Sequence, residues 1–283
     1  MKKILITGAN GQLGNEMREL AKNSSHFFSF TDVAELDITN IDAIDTFFQQ
    51  TKFDFVINCA AYTNVNKAES EEEIAFKLNA IAPENLAKIS NKYNCKFIHI
   101  STDYVFDGTH CQPYVETDEV CPQSAYGRTK LKGEQLTMQA NSNTAIIRTA
   151  WLYSTFGNNS VKTMMKYGQE KDTLTVVFDQ IGSPTYAADL AEAIYSIIEA
   201  ETFVPGIYHF SNEGVCSWYD FTKEILQLAN IQCDVQPIES KDFPSPAKRP
   251  FYSLLNKKKI KETYKITVPY WKDSLAKCIQ RLS

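Results

Sequence analysis

A tyrosine and a lysine four positions apart, Tyr126 and Lys130, have the clearest chemical potential in this sequence. Residues at this spacing share one face of a helix, so the Lys130 ammonium is expected beside the Tyr126 phenol. A neighbouring positive charge lowers the pKa of a phenol from its usual value of about 10. The pair therefore predicts a general acid, and Lys130 would also reach the nicotinamide ribose of a bound dinucleotide.

The spacing alone is not specific, because pairs beginning at Tyr167 and Tyr219 repeat it. Tyr167 sits in a polar segment, and Tyr219 sits in an amphipathic helix where packing is the natural role. Only Tyr126 follows a strand-like run that ends in adjacent hydroxyls, the second of which belongs to Thr102. We predict Tyr126 as the proton donor and Thr102 as the group that polarises a substrate carbonyl; the alternative for Tyr126 is burial of its ring.

A glycine series, Gly8-x-x-Gly11-x-x-Gly14, follows an apolar run and opens a helix-prone segment. A strand, a glycine turn and a helix in this order hold phosphate groups on the first N–H groups of the helix. Gly8 would allow the tight turn, Gly11 the approach of a pyrophosphate, and Gly14 close packing of helix on strand. The series predicts a dinucleotide site, against the alternative of an ordinary glycine-rich turn.

Asp32 follows the next strand-like run, residues 27–31. A carboxylate at this position can accept hydrogen bonds from both hydroxyls of the adenosine ribose and would repel a 2′-phosphate. The cofactor is therefore predicted to be NADH or NADPH, with NADH slightly favoured. The alternative for Asp32 is a loop residue that turns the chain.

The elements that must position these residues form an alternating series of strands and helices. Residues 54–60 are almost wholly apolar, as in a parallel strand buried on both faces. Residues 69–93 predict a helix in which Asn79 fills a packing defect, or binds water, and Pro83 causes a kink. Alternation of this kind predicts an α/β fold with a Rossmann-type doubly wound parallel sheet and a smaller C-terminal substrate-binding domain.

The domain boundary is predicted at the point where the regular alternation of strands and helices ends. Residues 1–150 are expected to form the dinucleotide-binding domain, and residues 151–283 mainly the substrate-binding domain. Part of residues 179–210 is expected to return to the sheet. Residues 234–249 are rich in proline and read as a loop, in which Lys248 and Arg249 could clamp a diphosphate or remain solvated charges.

Composition and charge exclude several classes of function. The net charge of −5 comes from scattered acids and bases, so no basic face is offered to nucleic acid. No apolar stretch approaches the roughly 18 residues of a membrane span, and we predict a cytoplasmic protein with no membrane partner. The seven cysteines contain no C-x-x-C pair, and no metal site is predicted.

Several motifs occur in a characteristic order along the chain. They are Gly8-x-x-Gly11-Gln12-Leu13-Gly14, Leu36-Asp37-Ile38, Ala60-Ala61-Tyr62-Thr63, Ser101-Thr102-Asp103-Tyr104-Val105-Phe106, Tyr126-x-x-x-Lys130, Arg148-Thr149-Ala150-Trp151 and Asp179-Gln180-x-Gly182-x-Pro184-Thr185. This series resembles the dTDP-4-dehydrorhamnose reductases, a family of the extended short-chain dehydrogenase/reductase superfamily. The resemblance runs from residue 4 to about residue 190 and continues more loosely to residues 249–254.

The resemblance implies hydride transfer from NADH or NADPH to the 4-keto carbon of a dTDP-linked 6-deoxysugar. It implies catalytic roles for Thr102, Tyr126 and Lys130, and contacts of Thr102, Asp103 and Trp151 with the sugar. It also implies a set of dinucleotide contacts, namely Gly11, Gln12, Leu13, Asp32, Asp37, Ile38, Ala60, Ala61 and Tyr62. Family members can dimerise through magnesium, but no carboxylate cluster in this sequence indicates a metal, and the chain is expected to be a monomer or a homodimer.

Related activities must be distinguished from this one, and the residues alone do not rule out an epimerase, against which only the family motifs argue. Related 4,6-dehydratases carry an Asp-Glu pair after the Ser/Thr, but Asp103 is followed by Tyr104, so the proton-transfer pair for dehydration is missing. A reductase of another nucleotide 4-keto-sugar would fit equally well, since no residue that reads thymine can be chosen. A non-catalytic regulatory subunit that binds a dinucleotide is disfavoured by the intact set of Thr102, Tyr126 and Lys130.

Overall fold

The computed structural model describes residues 1–282, and its strands and helices alternate through the first half of the chain. The strands are β1 Lys3–Thr7, β2 Phe27–Thr31, β3 Phe55–Asn58, β4 Lys96–Thr102, β5 Thr144–Thr149, β6 Leu152–Tyr153, β7 Thr173–Val177, β8 Ile181–Gly182, β9 Thr185–Tyr186, β10 Gly206–His209, β11 Cys216–Ser217 and β12 Asp234–Ile238. The helices are α1 Gln12–Ala21, α2 Ile41–Gln50, α3 Val65–Ala68, α4 Glu72–Phe76, α5 Ala82–Lys92, α6 Ala125–Ala140, α7 Ser160–Glu170, α8 Ala187–Glu199, α9 Trp218–Leu228, α10 Lys258–Tyr264 and α11 Trp271–Leu282.

Six of the strands form one parallel sheet in the order β10-β5-β4-β3-β1-β2. The chain runs outward from β1 to β2 and then crosses back to place β3 on the other side of β1. Ligands of open α/β sheets bind where the strand order reverses in this way, outside the carboxyl ends of the strands. The predicted doubly wound parallel sheet is confirmed.

The sheet is buried on both faces because its strands are almost wholly apolar. One face carries the side chains of Ile4, Ile6, Ile57, Ile98 and Ile147, packed against helices α1 and α8. The other face packs against α2 and α5, and its core includes Leu5, Val56 and Phe97. This double burial fixes the register of the strands and hence the positions of the loops that follow them.

Residues 72–92 form the helix predicted for 69–93, but one turn of it is widened. A π-helical turn, Lys77–Ile81, joins α4 to α5, and Pro83 is the second residue after it. Pro83 has no N–H to donate to the carbonyl oxygen of Asn79, so the helix cannot close a regular bond there. That carbonyl faces Gly133 of α6, where a Cβ atom would lie 2.0 Å from the Asn79 oxygen.

The C-terminal part of the chain contributes to the sheet and also builds a second core. Strand β10 lies at the edge of the sheet beside β5, and α8 packs on the sheet face. The second core lies among α7, α9 and α11 and includes Tyr153, Phe221, Ile225, Trp271 and Leu275. The division into domains at residue 150 stays a prediction.

Two negative findings apply to residues 1–282. No helix in this range is long and apolar enough to span a membrane. The same residues contain no cluster of three or more His, Cys, Asp or Glu side chains that could bind a metal ion.

Candidate active site

The glycine turn after β1 depends on Gly8, whose φ of +64° lies in the left-handed region. A Cβ atom on Gly8 would lie 2.5 Å from the backbone nitrogen of Ala60, because the turn rests on the end of β3. A Cβ atom on Gly14 would lie 2.5 Å from the Gly8 carbonyl oxygen, where α1 packs on the turn. These two positions therefore have no room for a side chain.

The amino end of α1 is suited to hold an anion. Helix α1 begins at Gln12, and its N-cap residue Gly11 offers no side chain to the free N–H groups. The first turn contains no acidic residue, so the N–H groups and the positive end of the helix dipole remain available to a phosphate. These observations fit the pyrophosphate of a dinucleotide.

Asp32 lies directly beside this turn, at the end of β2. Its Oδ2 accepts a hydrogen bond from the Asn10 N–H at 3.1 Å, and its Oδ1 accepts one from the Val33 N–H at 2.8 Å. The carboxylate is thus fixed at the rim of the glycine turn, where the adenosine ribose is expected. Asp37 lies farther out, in a depression of about 500 Å³ beside α2, and Ile38 is buried behind it.

The loop after β3 carries Ala60, Ala61 and Tyr62, and Asn79 holds it in place. Asn79 Oδ1 accepts from the Tyr62 N–H at 2.8 Å, and Asn79 Nδ2 donates to the Tyr62 carbonyl at 3.0 Å. The same amide nitrogen also donates to Thr129 Oγ1 of α6 at 3.1 Å. The interpretation of Asn79 as a filler of a packing defect is therefore wrong, since it ties the predicted cofactor loop to the helix of Tyr126.

Helix α6 presents Tyr126 in its first turn. Ser124 caps the helix, its Oγ accepting from the Gly127 N–H at 3.2 Å, as its position in the sequence suggests. The Tyr126 ring packs edge-on against Tyr104, with centroids 5.5 Å apart, and its hydroxyl meets Thr102. This arrangement brings the predicted proton donor to the end of β4.

The expected effect of Lys130 on Tyr126 is wrong for this structure. Lys130 is 2% exposed, and its Nζ donates to the Ile100 carbonyl of β4 at 2.5 Å. Burial raises the pKa of the Tyr126 phenol above its usual value, and the hydrogen bond to Thr102 opposes that rise. Burial also lowers the pKa of Lys130 to about 8. Desolvation, which a spacing argument cannot detect, is the largest cause of both shifts.

Asp103 lies against Thr102 in the turn after β4 and is 2% exposed. The Thr102 hydroxyl donates to Asp103 Oδ1 at 3.0 Å and accepts from the Tyr104 N–H at 3.2 Å. Burial raises the pKa of the Asp103 carboxyl to about 6, although the hydroxyls of Ser253 and Thr102 act in the opposite direction. The Asp103 carboxyl, the Thr102 hydroxyl and the Tyr126 phenol thus meet at the carboxyl end of β4. We call the space in front of these three groups the cleft.

Arg249 bridges the proline-rich loop to the end of the sheet. Its NH1 donates to the Tyr104 hydroxyl at 3.1 Å, and its NH2 donates to Asn66 Oδ1 at 3.2 Å. Lys248 is exposed, and its Nζ donates to Gln123 Oε1 at 3.2 Å. Of the two alternatives for Arg249, the structure thus supports a placed guanidinium rather than a freely solvated charge.

A cavity of about 820 Å³ lies between this loop and the C-terminal core. Its lining includes Val176, Gln180, Trp218, Phe221, Phe243 and Arg249. Trp218 precedes Tyr219 on the amphipathic helix whose role was predicted to be packing, so sequence reasoning missed its place on the cavity wall. No local signal distinguishes it, since an indole on an amphipathic helix is usually buried.

Trp151 lies next to this wall and not on it. Its ring stacks on Trp218, with centroids 3.8 Å apart and planes 15° apart, so one face of Trp151 is covered. Trp151 also has a φ of +49°, a strained value for a residue other than glycine. Its contact with the sugar stays a prediction.

The glycine turn at the point of strand reversal, with a tyrosine and a lysine on the helix before β5, defines a Rossmann-type dinucleotide-binding protein of the short-chain dehydrogenase/reductase class. The chain belongs to the family described as RmlD substrate binding domain, whose model matches residues 1–283. The resemblance drawn from the sequence motifs is thereby confirmed.

Relatives of known name match along nearly the whole chain. A dTDP-4-dehydrorhamnose reductase of Aggregatibacter actinomycetemcomitans is 39% identical over 287 residues, covering 97% of each chain. A solved dTDP-4-dehydrorhamnose reductase from Clostridium acetobutylicum is 47% identical, with a TM-score of 0.95 over 99% of both chains. The enzyme of that name from Bacillus anthracis, solved in complex with NADP, is 39% identical, with a TM-score of 0.95 and 99% of both chains covered.

Proposed function

We propose that this protein reduces the 4-keto group of dTDP-4-dehydro-L-rhamnose, giving dTDP-L-rhamnose, with NADH or NADPH as the reductant. The observation that carries the proposal is the meeting of Thr102, Asp103 and Tyr126 at the sheet edge where the glycine turn opens. Relatives that are 39% and 47% identical bear the name of this activity, which supports the choice of substrate.

The cofactor would lie across the carboxyl edge of the sheet. The free N–H groups of α1 would bind its pyrophosphate, Asp32 its adenosine ribose, and Ala60 and Ala61 would lie beneath it. When bound, the reduced nicotinamide supplies a hydride to the sugar. The Asp32 carboxylate favours NADH over NADPH, because a 2′-phosphate would meet a negative charge.

Thr102 and Tyr126 would act on the carbonyl oxygen of the sugar. The Thr102 hydroxyl polarises the carbonyl, and Tyr126 transfers its phenolic proton to the oxygen while C4 gains the hydride. One C–H bond and one O–H bond form on the sugar, while the carbonyl π bond, the tyrosine O–H bond and the C–H bond that held the hydride in the reduced cofactor would break, leaving the cofactor oxidised. Because burial keeps Tyr126 protonated, the phenolate left behind must be stabilised, which the Thr102 hydroxyl and the Lys130 ammonium one helical turn away would do.

The rest of the substrate would occupy the cleft beyond Tyr126. Arg249, with its planar fork of N–H donors, is suited to the diphosphate. The cavity of about 820 Å³ is large enough for a nucleoside and is lined by aromatic side chains. Asp103 would accept a hydrogen bond from a sugar hydroxyl, and Trp151 would pack against the deoxysugar.

The direct test mixes purified protein with dTDP-4-dehydro-L-rhamnose and NADH or NADPH and follows the loss of reduced-nicotinamide absorbance. We expect turnover with both cofactors and dTDP-L-rhamnose as the product. Tight NADH binding without turnover of any 4-keto sugar nucleotide would instead indicate a regulatory subunit. Equal turnover of substrates with other bases would indicate a reductase of broader or different specificity.

A further inference from the structure

Glu134 forms a buried ion pair directly behind the predicted catalytic face of α6. It lies one helical turn after Lys130, and each of these side chains is 2% exposed. Arg148 of β5 holds the carboxylate by two bonds, from Nε to Oε1 at 2.9 Å and from NH2 to Oε2 at 2.7 Å. Ser101 Oγ donates to Oε1 at 2.5 Å. An anion is thus fixed at a defined place behind Lys130.

The stability of the fold alone does not explain why an ion pair is buried at this position. Removing two charges from water is costly, and apolar residues of similar volume often stabilise a core as well or better. The pair lies between β5 and the helix that carries Tyr126 and Lys130, so its position relates it to the cleft and not to the periphery.

The titratable groups around Lys130 leave Glu134 as the charge that acts on it. Tyr126, one turn earlier on α6, is a neutral phenol because burial raises its pKa. Burial and the charge of Lys130 hold the pKa of His99, on β4, well below its usual range, so His99 is neutral. Arg148 lies behind Glu134 on β5. Among the described residues, Glu134 is the charged group that opposes the effect of burial on Lys130.

The other acidic groups near α6 are directed elsewhere. Glu69 accepts from the Ala125 N–H at 2.8 Å, and Glu72 of α4 pairs with Arg128 at 3.0 Å on the exposed side of the helix. Asp103, in the turn after β4, acts on Tyr126. These groups therefore do not replace Glu134.

We propose that Glu134 is a positioning residue that keeps Lys130 charged where its Nζ meets the Ile100 carbonyl near the end of β4, so that the ammonium can stabilise the phenolate of Tyr126. The proposal rests on the proposed function for the role of the phenolate. It separates two tasks: Arg148 and Ser101 fix the Glu134 carboxylate, and the charge of that carboxylate favours the protonated form of Lys130, whose Nζ is held by the Ile100 carbonyl.

The proposal fixes the direction in which the pKa of Lys130 changes when Glu134 is replaced. Burial lowers the pKa of Lys130 to about 8, and the Glu134 charge acts in the opposite direction. In Glu134→Gln the pKa of Lys130 falls further, so the ammonium is lost at a lower pH. Because stabilisation of the phenolate needs the charged lysine, the alkaline limb of kcat/KM moves down by roughly one pH unit.

Three variants separate charge from shape. Glu134→Gln removes the charge and keeps the size, and we expect the alkaline limb of kcat/KM to move to lower pH. Glu134→Asp keeps the charge and is expected to restore the limb to within a few tenths of a unit. Glu72→Gln, a matched loss of an exposed carboxylate beside α6, is expected to leave the limb unchanged.

A second measurement does not depend on turnover. In protein labelled with ¹³C-lysine, the Lys130 Cε resonance, assigned with Lys130→Met, reports the titration of this ammonium directly. The midpoint is expected near pH 8 in the unmodified chain and at a lower pH in Glu134→Gln. If the protein does not reduce the proposed sugar, this titration still supports or overturns the link between Glu134 and Lys130.

Glu134→Gln leaves the Arg148 charge without its partner and can fail to fold for that reason. The double variant Glu134→Gln with Arg148→Met removes both charges, and we expect it to fold and to show a smaller downward shift, because the loss of the Arg148 charge partly offsets the loss of the carboxylate. A folded variant whose Lys130 midpoint and alkaline limb match those of the unmodified chain overturns the proposal. Failure of both variants to fold also overturns it, because the ion pair would then serve the structure alone.

Discussion

At the scale of single residues, burial decides the proton chemistry of the cleft. Tyr126 is held protonated, the pKa of Lys130 is lowered to about 8, and that of Asp103 is raised to about 6. Each shift disfavours the charged form of its group, as expected where water is excluded. The charge left on Tyr126 after proton transfer must therefore be stabilised by fixed neighbouring groups such as Thr102.

Tyr126→Phe removes the proposed proton and preserves the ring. We expect turnover to fall by about 100-fold or more, with little change in cofactor affinity, as measured by steady-state kinetics and NADH titration. The matched control is Tyr167→Phe, an exposed tyrosine with the same spacing to a lysine. Unimpaired turnover in Tyr126→Phe would remove Tyr126 from its role.

The Asp103 carboxyl predicts an acid limb. A carboxylate that accepts from the sugar is present above its raised pKa of about 6 and is lost as the pH falls through it. KM for the sugar nucleotide is therefore expected to rise below about pH 6, and this rise should be absent in Asp103→Asn. A KM independent of pH in the unmodified protein contradicts the assignment.

Asp32→Asn tests the choice of cofactor. Removing one negative charge beside the ribose should raise kcat/KM for NADPH relative to NADH by roughly tenfold, because like charges a few ångströms apart repel by about 1–2 kcal/mol in partly solvated surroundings. Parallel measurement of both cofactors supplies the control. A ratio that does not change would show that Asp32 does not face the ribose.

At the scale of elements, the glycine turn and α1 form one unit with β3. The contact of Gly8 with Ala60 is not local in sequence, but the strand, the three spaced glycines and the helix of this unit are all local features. The same holds for the Ser124 cap and for the apolar strands, which is why these parts of the fold could be predicted from the sequence.

Substitutions at two glycines of the turn distinguish an effect on folding from an effect on cofactor binding. Gly8→Ala places a Cβ 2.5 Å from the Ala60 nitrogen at a φ of +64°, and we expect about 1–3 kcal/mol lower unfolding free energy together with loss of cofactor binding. At Gly11 the nearest atom to a Cβ, the Gly8 carbonyl oxygen, is 3.3 Å away. Gly11→Ala should therefore retain stability and still lose affinity for NADH.

Denaturant unfolding and NADH titration on the two variants check this pair. Unchanged NADH affinity in a folded Gly11→Ala protein would contradict the placement of the pyrophosphate at this turn.

Other parts of the candidate site depend on residues far apart in sequence, and the sequence could not reveal them. Asn79 holds Tyr62 from within the widened helical turn, and Gly133 leaves room for the Asn79 carbonyl. Trp218 reaches the cavity only because α9 packs where it does. The desolvation of the partly buried Tyr126 and of the buried Lys130 likewise depends on the whole assembly, so their pKa directions could not follow from spacing.

At the scale of the whole molecule, the last helix is tied to the first. Glu16 of α1, a residue 3% exposed, accepts from Ser154 Oγ at 2.6 Å and from Arg281 NH1 of α11 at 3.1 Å. Arg281 also contacts the Tyr186 hydroxyl. The helix that would bind the pyrophosphate is thereby joined to the core formed by the C-terminal elements.

Arg281→Ala tests this tie. The change leaves a buried carboxylate with fewer donors, and we expect the unfolding free energy to fall by about 1–2 kcal/mol, since the partly exposed arginine is screened by solvent. Lys277→Ala, an exposed lysine on the same helix, is the control and should change stability by less than about 0.5 kcal/mol in chemical denaturation. Equal stability of the two variants would contradict the contribution of the Glu16 contact.

The stacked pair of Trp151 and Trp218 gives the molecule a built-in optical reporter. Their rings are 3.8 Å apart, and one of them borders the cavity, so a nucleotide entering that space alters the surroundings of an emitting indole. Of the three tryptophans in the chain, the remaining one, Trp271, is buried in the C-terminal core and supplies a constant background. Intrinsic fluorescence can therefore follow occupancy of the cleft without a label and on the timescale of a stopped-flow experiment.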